Sequence, residues 1–498
     1  MSRLRDIFGV IRGQSKAIAV STDKSIYEVG EKVVIEIRNT GSSVLEGTPS
    51  YEIYDDTGKA IYSPMMAQMI RTLGVNETIS YTWNQIDNNG KQVKEGLYRV
   101  EASFAGLKKE AEFGIKHGVD DSGWTPEGVD RVVDANNLFA LDLFSQLKKK
   151  NESGNIFFSP YSISVALTMT YEGARGETAE EMENLLHIPE DDYIRRQNFA
   201  RIINEINRED KKYELSTANA LWAQKNYNFL EEYLKIVEMY YGGRVTNLDF
   251  VGETEESRQT INRWVEEQTN NRIKELLHEG DIDLLTRLVL TNAIYFKGRW
   301  LLQFDPEDTM ELKFTSIDGE KKSAPMMRVK GEFNYGETDE GQILEMLYED
   351  EDLSMVFILP EDIRSAEENL TPEKLSEWKD AMVKQEVEVL IPRFKLETRY
   401  NMKETLKEMD MILPFSDDAD FSGMDGTHHL KIDNVIHQAF IEVTEEGSEA
   451  AAATAVVIVA MGMPTVPVFR ADHPFIFLIQ QRDTGSILFM GRVGDPGA

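Results

Sequence analysis

Apolar and polar positions alternate through the first 116 residues. "KVVIEIRNTG" puts Val33, Ile35 and Ile37 on one face of an extended segment, the pattern of a half-buried strand. "YEIYDDTGKAIY" alternates on both sides of Asp56-Thr57-Gly58, which predicts a hairpin turning at those residues. "YTWNQIDNNGKQVKEGLYRVEASF" predicts a strand, an Asn-Asn-Gly turn, a short link and another strand. Short strands at this spacing predict a small all-β sandwich.

The polar, turn-rich "KHGVDDSGWTPEG" then reads as a break in the chain. It suggests a first domain over 1–117, a linker over 118–124 and a second domain over 125–498. Beyond it the period changes. Val132, Val133, Leu138, Phe139, Leu141, Leu143 and Phe144 recur at helical spacing. Ser159-Pro160 is a helix start, with Ser able to cap and Pro suited to the first turn. "INRWVEEQTNNRIKELL" predicts another helix. Strand patterns follow in "RLVLTNAIYFKG", "LSMVFILP", "EVEVLIPRFKLE", "DNVIHQAFIEV" and "FIFLIQQ". Helices at the front and strands at the back of this region predict an α+β fold.

One stretch resists a single period. Residues 445–467, "EEGSEAAAATAVVIVAMGMPTVP", run from alanines that favour helix to β-branched residues that favour strand. No proline occurs from Gly447 to Met463, so every residue there could donate to a ladder. Ser448, Ala450, Ala452 and Thr454 would share one small face, continued by Val456 and Ile458. Fourteen such residues, fully extended, span about 46 Å.

The chain of 498 residues carries 87 acidic and 54 basic residues, a formal charge of -33, which disfavours nucleic acid and anionic membranes as partners. It has no cysteine, which excludes disulfides, zinc–thiolate sites and thiol nucleophiles. The apolar patch at residues 7–11 is too short for a leader core, and no run approaches a membrane span. The expected location is cytoplasmic, with an extracellular one left open. The seven histidines form no HExxH motif, and no GxSxG elbow, P-loop or GxGxxG is present. The expectation is a protein that is not an enzyme, with no cofactor and no metal site.

Five segments, in order, resemble the serpins: "NIFFSPYSISVALTMTYEGARGET" (155–178), "INRWVEEQTNNRIKELL" (261–277), "LVLTNAIYFKGRWLLQFDPEDT" (288–309), "VIHQAFIEVTEEGSEAAAAT" (435–454) and "FRADHPFIFLIQQRDTGSILFMGRVGDP" (469–496). The resemblance implies three sheets, about nine helices and an exposed reactive loop. It implies a mechanism in which a serine protease cleaves the loop and forms an acyl-enzyme. The loop then inserts into the central sheet, carrying the protease with it, and the protease is distorted before it can deacylate.

By the same resemblance the hinge is Gly447, Ser448, Glu449, Ala450, Ala451, Ala452, Ala453 and Thr454. The scissile bond, counted from Gly447, is Met461–Gly462. A shift of one or two residues would make Ala460 or Val459 the contact residue, whereas Pro464 disfavours cleavage after Met463. Methionine suits the apolar pockets of chymotrypsin-like, subtilisin-like or elastase-like proteases rather than a trypsin-like one. Ser159, Ser162, Asn292 and His437 match the family's hydrogen-bonding residues beneath the central sheet. Trp300 matches the tryptophan where the loop enters, and Glu445 would pair with Arg393. The implied partner is a serine protease held as a covalent acyl complex by a monomer; the alternative is a non-inhibitory binding or chaperone protein on the same fold. Residues 1–117 resemble the intracellular proteinase inhibitor (BsuPI) domain, an immunoglobulin-like sandwich. The likeness rests mainly on the Trp83 to Gly90 pattern.

Overall fold

A computed structural model describes residues 15–23, 26–28, 32–64, 69–94, 96–116, 118–208, 211–448 and 466–497. The chain divides into two compact units, Met1–Gly118 and Val119–Ala498.

Among the described residues of the first unit the alternation becomes two larger sheets and a two-stranded one, Leu45–Gly47 with Arg71–Leu73. Ile18–Thr22, Val33–Asn39 and Thr78–Trp83 form one larger sheet; Ile26–Glu28, Leu107–Lys116, Gly96–Phe104, Ser50–Asp55 and Ala60–Tyr62 form the other, in that order. Val33, Ile35 and Ile37 are fully buried and share a core with Val100, Phe104 and Trp83. Both predicted turns form in the same way. Asp55 and Asp87 each accept, on one carboxylate oxygen, the amide of the lysine four residues on, with Gly58 and Gly90 at positive φ between them.

The segment expected as a linker is part of the second unit from Val119 onward. Val119 is buried, its carbonyl accepts from Asn204 Nδ2, and the amides of Gly123 and Thr125 donate to Gln197 and Asn198. Thr125 then caps the helix Pro126–Lys150, with Pro126 in the first turn and three lysines in the last, as the helix dipole favours. The apolar face of this helix, including Val132, Val133, Phe139, Leu143 and Phe144, lies in the main core.

Ten α-helices occur among the described residues. The predicted helix at 261–277 is shorter at its end than its pattern suggests: the observed helix is Thr254–Gln268. Asn270 and Asn271 adopt positive φ and end it, and Asn262 bonds both the amide and the carbonyl of Leu277, folding the tail back.

Two of the three expected sheets run together as one nine-stranded assembly because Lys321–Thr338 serves both. It pairs with Val383–Pro392 along Met326–Tyr335 and with Gly341–Leu347 at its end. The other sheet has the order Arg244–Leu248, Glu214–Gln224, Leu288–Arg299, Gly447–Ser448, Asn434–Val443, Phe394–Asn401. Its middle strand, Leu288–Arg299, is buried on both faces. Leu288, Leu290, Ile294 and Phe296 enter the main core, while Val289 and Ala293 meet Ile261 and Val265 of the helix Thr254–Gln268. No helix among the described residues is long and apolar enough to cross a membrane.

Candidate functional site: a partly filled slot in the central sheet

Leu288–Arg299 and Asn434–Val443 run parallel and pair directly from Val289↔Asn434 to Tyr295↔Phe440. Beyond that point they part, and Gly447–Ser448 lies between them, antiparallel to both. Gly298 pairs with Ser448, Arg299 with Gly447, and Val443 with Ser448. The chain reaches this position by reversing at once after Val443, with Thr444 and Gly447 exchanging backbone bonds. Gly447 has φ +153°, and a Cβ there would lie 2.0 Å from the Gly298 carbonyl oxygen. Only glycine fits between these backbones in this conformation.

The mouth of the slot is built from side chains that grip the reversal. Trp300 donates its ring N–H to the Thr444 carbonyl at 3.0 Å and its amide to Glu446 O. Tyr348 stacks on Trp300 at 4.7 Å and shares a 2.9 Å hydrogen bond with Ser448 Oγ, which is fully buried. Glu445 accepts from Arg393 Nε at 2.7 Å and from Thr309 Oγ1. Burial opposes ionisation of Glu445. The hydrogen bonds from Arg393 and Thr309, together with the Arg393 charge, outweigh it and hold the carboxyl below its ordinary range.

Below the mouth, the closed part of the strand pair rests on a buried polar network. Ser159 caps the helix Pro160–Tyr171 through a bond from the Ser162 amide, and its hydroxyl donates to Leu488 O. The Ser159 amide donates to His437 Nε2, so the other ring nitrogen carries the proton and Nδ1–H donates to Asn292 Oδ1. Asn292 Nδ2 donates to the Ser162 carbonyl and to Asn219 Oδ1. Burial without a countercharge pulls the His437 pKa down to about 3, so the ring is neutral across the physiological range. The Asn292–His437 bond therefore joins the two parallel strands through their side chains.

Ser159, Ser162, Asn292 and His437 thus come together as one cluster, while Trp300, Arg393, Glu445, Gly447 and Ser448 come together at the mouth. Glu449, Ala450, Ala451, Ala452, Ala453, Thr454, Met461 and Gly462 lie outside the described residues. Sequence reasoning missed Asn219, Tyr348 and Thr309. Asn219 had a signal, since a lone amide within the otherwise apolar strand segment "ANALWA" needs a partner; the other two had none. Among the described residues, no cluster of three or more His, Cys, Asp or Glu side chains could hold a metal ion.

A family model described as "Serpin (serine protease inhibitor)" matches residues 134–496. The chain is 43% identical to human Serpin B4 over 389 residues, covering 73% of this chain and 99% of that protein. It is 42% identical to the leukocyte elastase inhibitor of Xenopus laevis over 371 residues, 72% of this chain and 97% of that one. Among solved structures, Serpin48 of the insect Tenebrio molitor matches with a TM-score of 0.67 and 32% identity, covering 73% of this chain and 98% of that chain. With a family match across most of the second unit and relatives aligned over nearly their whole length, the chain belongs to the serpin family.

Proposed function

We propose that this chain is an irreversible suicide-substrate inhibitor of serine proteases with apolar specificity pockets, acting as a monomer. As a serpin it is not an enzyme. The single observation that carries the reading is the register of Gly447–Ser448 in the slot. Continued along the chain, it brings Thr454 opposite both Asn292 and His437, and Val457 opposite both Val289 and Asn434. Both flanking strands give the same count, because the parallel pairs Asn292↔His437 and Val289↔Asn434 already exist. A strand inserted here would be in step with its two neighbours at once.

The side chains suit that path. On the same count Ser448, Ala450, Ala452, Thr454, Val456 and Ile458 share the face of Leu290, Asn292 and Ile294, which is the main core. Small residues come first, where the sheet must part, and large apolar ones follow at the far end. Fully burying Val456 and Ile458 contributes about 1.5–3 kcal/mol each. An uncut loop is anchored at both ends and cannot reach this state, so the native form is held kinetically. Loop insertion of this kind is among the standard examples of stored strain released by proteolysis.

In this reading Met461 enters the protease pocket and the Met461–Gly462 bond is cut. Trp300, Tyr348 and the Glu445–Arg393 pair hold the hinge, and the Ser159–Ser162–Asn292–His437 cluster controls how readily the strands part. Mixing the protein with chymotrypsin or subtilisin should give a complex that survives SDS and release residues 462–498. Cleavage without a stable complex would instead make the protein a substrate and favour a non-inhibitory role.

For the first unit we propose an immunoglobulin-like sandwich of the intracellular proteinase inhibitor type, serving as a second inhibitor or a tether. Its two larger sheets around the Trp83 core support this. Full-length protein with Met461→Glu separates the roles. Residual, reversible inhibition of subtilisin assigns inhibition to the first unit, and its absence leaves the tether.

A further inference from the structure

Three of the four outer strands of the first unit's two larger sheets are covered or short. Ile18–Thr22 lies against Leu107–Lys116 of the other sheet. Ile26–Glu28 has three residues. Ala60–Tyr62 is covered by the second Asp-capped turn, where the Asn88 amide donates to the Ile61 carbonyl and Asn88 Oδ1 accepts from the Ser63 amide. Thr78–Trp83 is the fourth, and it pairs with Val33–Asn39 on one side only. The Asn39 amide donates to the Glu77 carbonyl, which fixes the phase of that ladder. Ile79, Tyr81 and Trp83 bond to Val33–Asn39, while the amides and carbonyls of Thr78, Ser80 and Thr82 face away. Among the described residues no hydrogen bond reaches those outward groups.

An open edge is a template for another strand, and proteins blunt it with lysine, proline, a bulge or a covering loop. This edge has none of them. "TISYTW" holds no charge and no proline, and its register against Val33–Asn39 is unbroken. Thr78, Ser80 and Thr82 present exposed hydroxyls on the outer face. Ile79, Tyr81 and Trp83 turn to the core, with Tyr81 packed against Tyr51. The charge of the unit agrees. Residues 1–118 carry fifteen basic and fifteen acidic residues, so the whole formal charge of -33 belongs to 119–498. A neutral unit has no net repulsion from its own copy, and low net charge favours association.

We propose that Thr78–Trp83 is a self-docking edge, where the first units of two copies join antiparallel about a two-fold axis beside Ser80. Ser80 then meets Ser80 of the second copy, and Thr78 meets Thr82 of the second copy. Every outward amide and carbonyl of the edge is paired, in about six backbone hydrogen bonds. Side chains directly opposite share a face, so hydroxyl meets hydroxyl outside and Ile79 meets Tyr81 of the second copy inside, both favourable cross-strand pairs. One edge of this length buries little area, so the pair is weak and forms at tens of micromolar, an order-of-magnitude figure for a small interface. Each second unit still meets its protease singly, and the inference stands apart from the inhibitory reading above.

The test is sedimentation velocity of the full-length protein from about 2 to about 200 µM, at about 20 mM and about 300 mM salt. Wild type should shift toward dimer as concentration rises, and more readily at the higher salt, which screens the acidic second units from each other. Ser80→Lys sets two like charges opposite each other, and Ser80→Pro removes the central donor; each should leave a monomer over the same range. Ser80 is exposed on the outer face, so the lysine variant folds even where the proline variant does not. Hydrogen exchange of wild type should show the Ser80 and Thr82 amides slowing with concentration while those of Ile79 and Tyr81 stay constant. A wild-type monomer throughout, a dimer that the lysine variant leaves intact, or a dimer that salt dissolves overturns the inference.

Discussion

Ser448→Arg tests the slot most directly. Ser448 is fully buried, paired to Gly298 and Val443, with its hydroxyl on Tyr348 and Tyr348 packed against Trp300. The nearest acid in the chain with a partner at this mouth, Glu445, is already taken by Arg393 and Thr309. An arginine at 448 would thus enter the sheet as an unpaired cation, at a cost of several kcal/mol. Ser448→Ala removes only the Tyr348 hydrogen bond, about 1 kcal/mol. Two residues of strand pairing cannot offset the larger cost, so the arginine keeps the hinge out of the sheet.

The consequence is kinetic. Under the proposed mechanism, insertion competes with deacylation after cleavage. If about 3 kcal/mol of the arginine cost is present in the insertion transition state, insertion slows about 150-fold; for alanine the slowing is about fivefold. Titration of chymotrypsin should show near-equimolar inhibition by wild type and a moderate rise in stoichiometry for Ser448→Ala. Ser448→Arg should be consumed as a substrate, with cleaved product and little SDS-stable complex on a gel. Wild-type stoichiometry and complex yield from Ser448→Arg would refute the claim that 448 must enter the core.

Gly447→Ala should expel the hinge by sterics rather than charge, because its Cβ would meet the Gly298 carbonyl oxygen at 2.0 Å; hydrogen exchange should show the Ser448 amide losing protection while Leu288–Arg299 keeps its own. Cutting the loop within 459–462 should raise the melting temperature of the second unit by more than about 10 °C, from new apolar burial and a second ladder, and an unchanged melt would argue that no insertion occurs. His437 fixes a pH dependence. The folded ring resists protonation until about pH 3, whereas the unfolded ring titrates at its ordinary value of 6.5. Its contribution is complete above pH 6.5 and is lost as pH falls from there toward 3, by about 2 kcal/mol between pH 7 and pH 5. Denaturation midpoints of wild type and His437→Gln should converge on acidification, and a constant gap would reject a neutral buried ring.

Local signals read well where one element decides the structure. The Ser159-Pro160 start, the alternation at Val33, Ile35 and Ile37, and the Asp-capped turns each depend on a few neighbouring residues. Signals failed where distant chain decides. Leu288–Arg299 reads as a strand, but burial on both faces hides which side meets the main core. The pattern at 261–277 continues through a helix end that two positive-φ asparagines impose. Tyr348 and Thr309 acquire roles only because they meet Ser448 and Glu445 from 100 and 136 residues away. The register of Gly447–Ser448 is of the same kind, since no local pattern says which strands will flank it.

That register also gives a reason for the single hydroxyl in the small face of residues 448–458 beyond Ser448. A strand entering between Leu288–Arg299 and Asn434–Val443 must separate Asn292 from His437, leaving a buried N–H donor and a buried carbonyl acceptor. Each such orphan costs about 1–3 kcal/mol. Under the proposed insertion the residue that arrives between them is Thr454, whose hydroxyl can accept from His437 Nδ1–H and donate to Asn292 Oδ1. Alanine at 450 and 452 meets no such demand, because its partners on this face are Phe296 and Ile294. The run of alanines broken by one threonine, unexplained as helix and unexplained as linker, is what a strand requires if it is to replace that one polar contact and otherwise pass through an apolar slot.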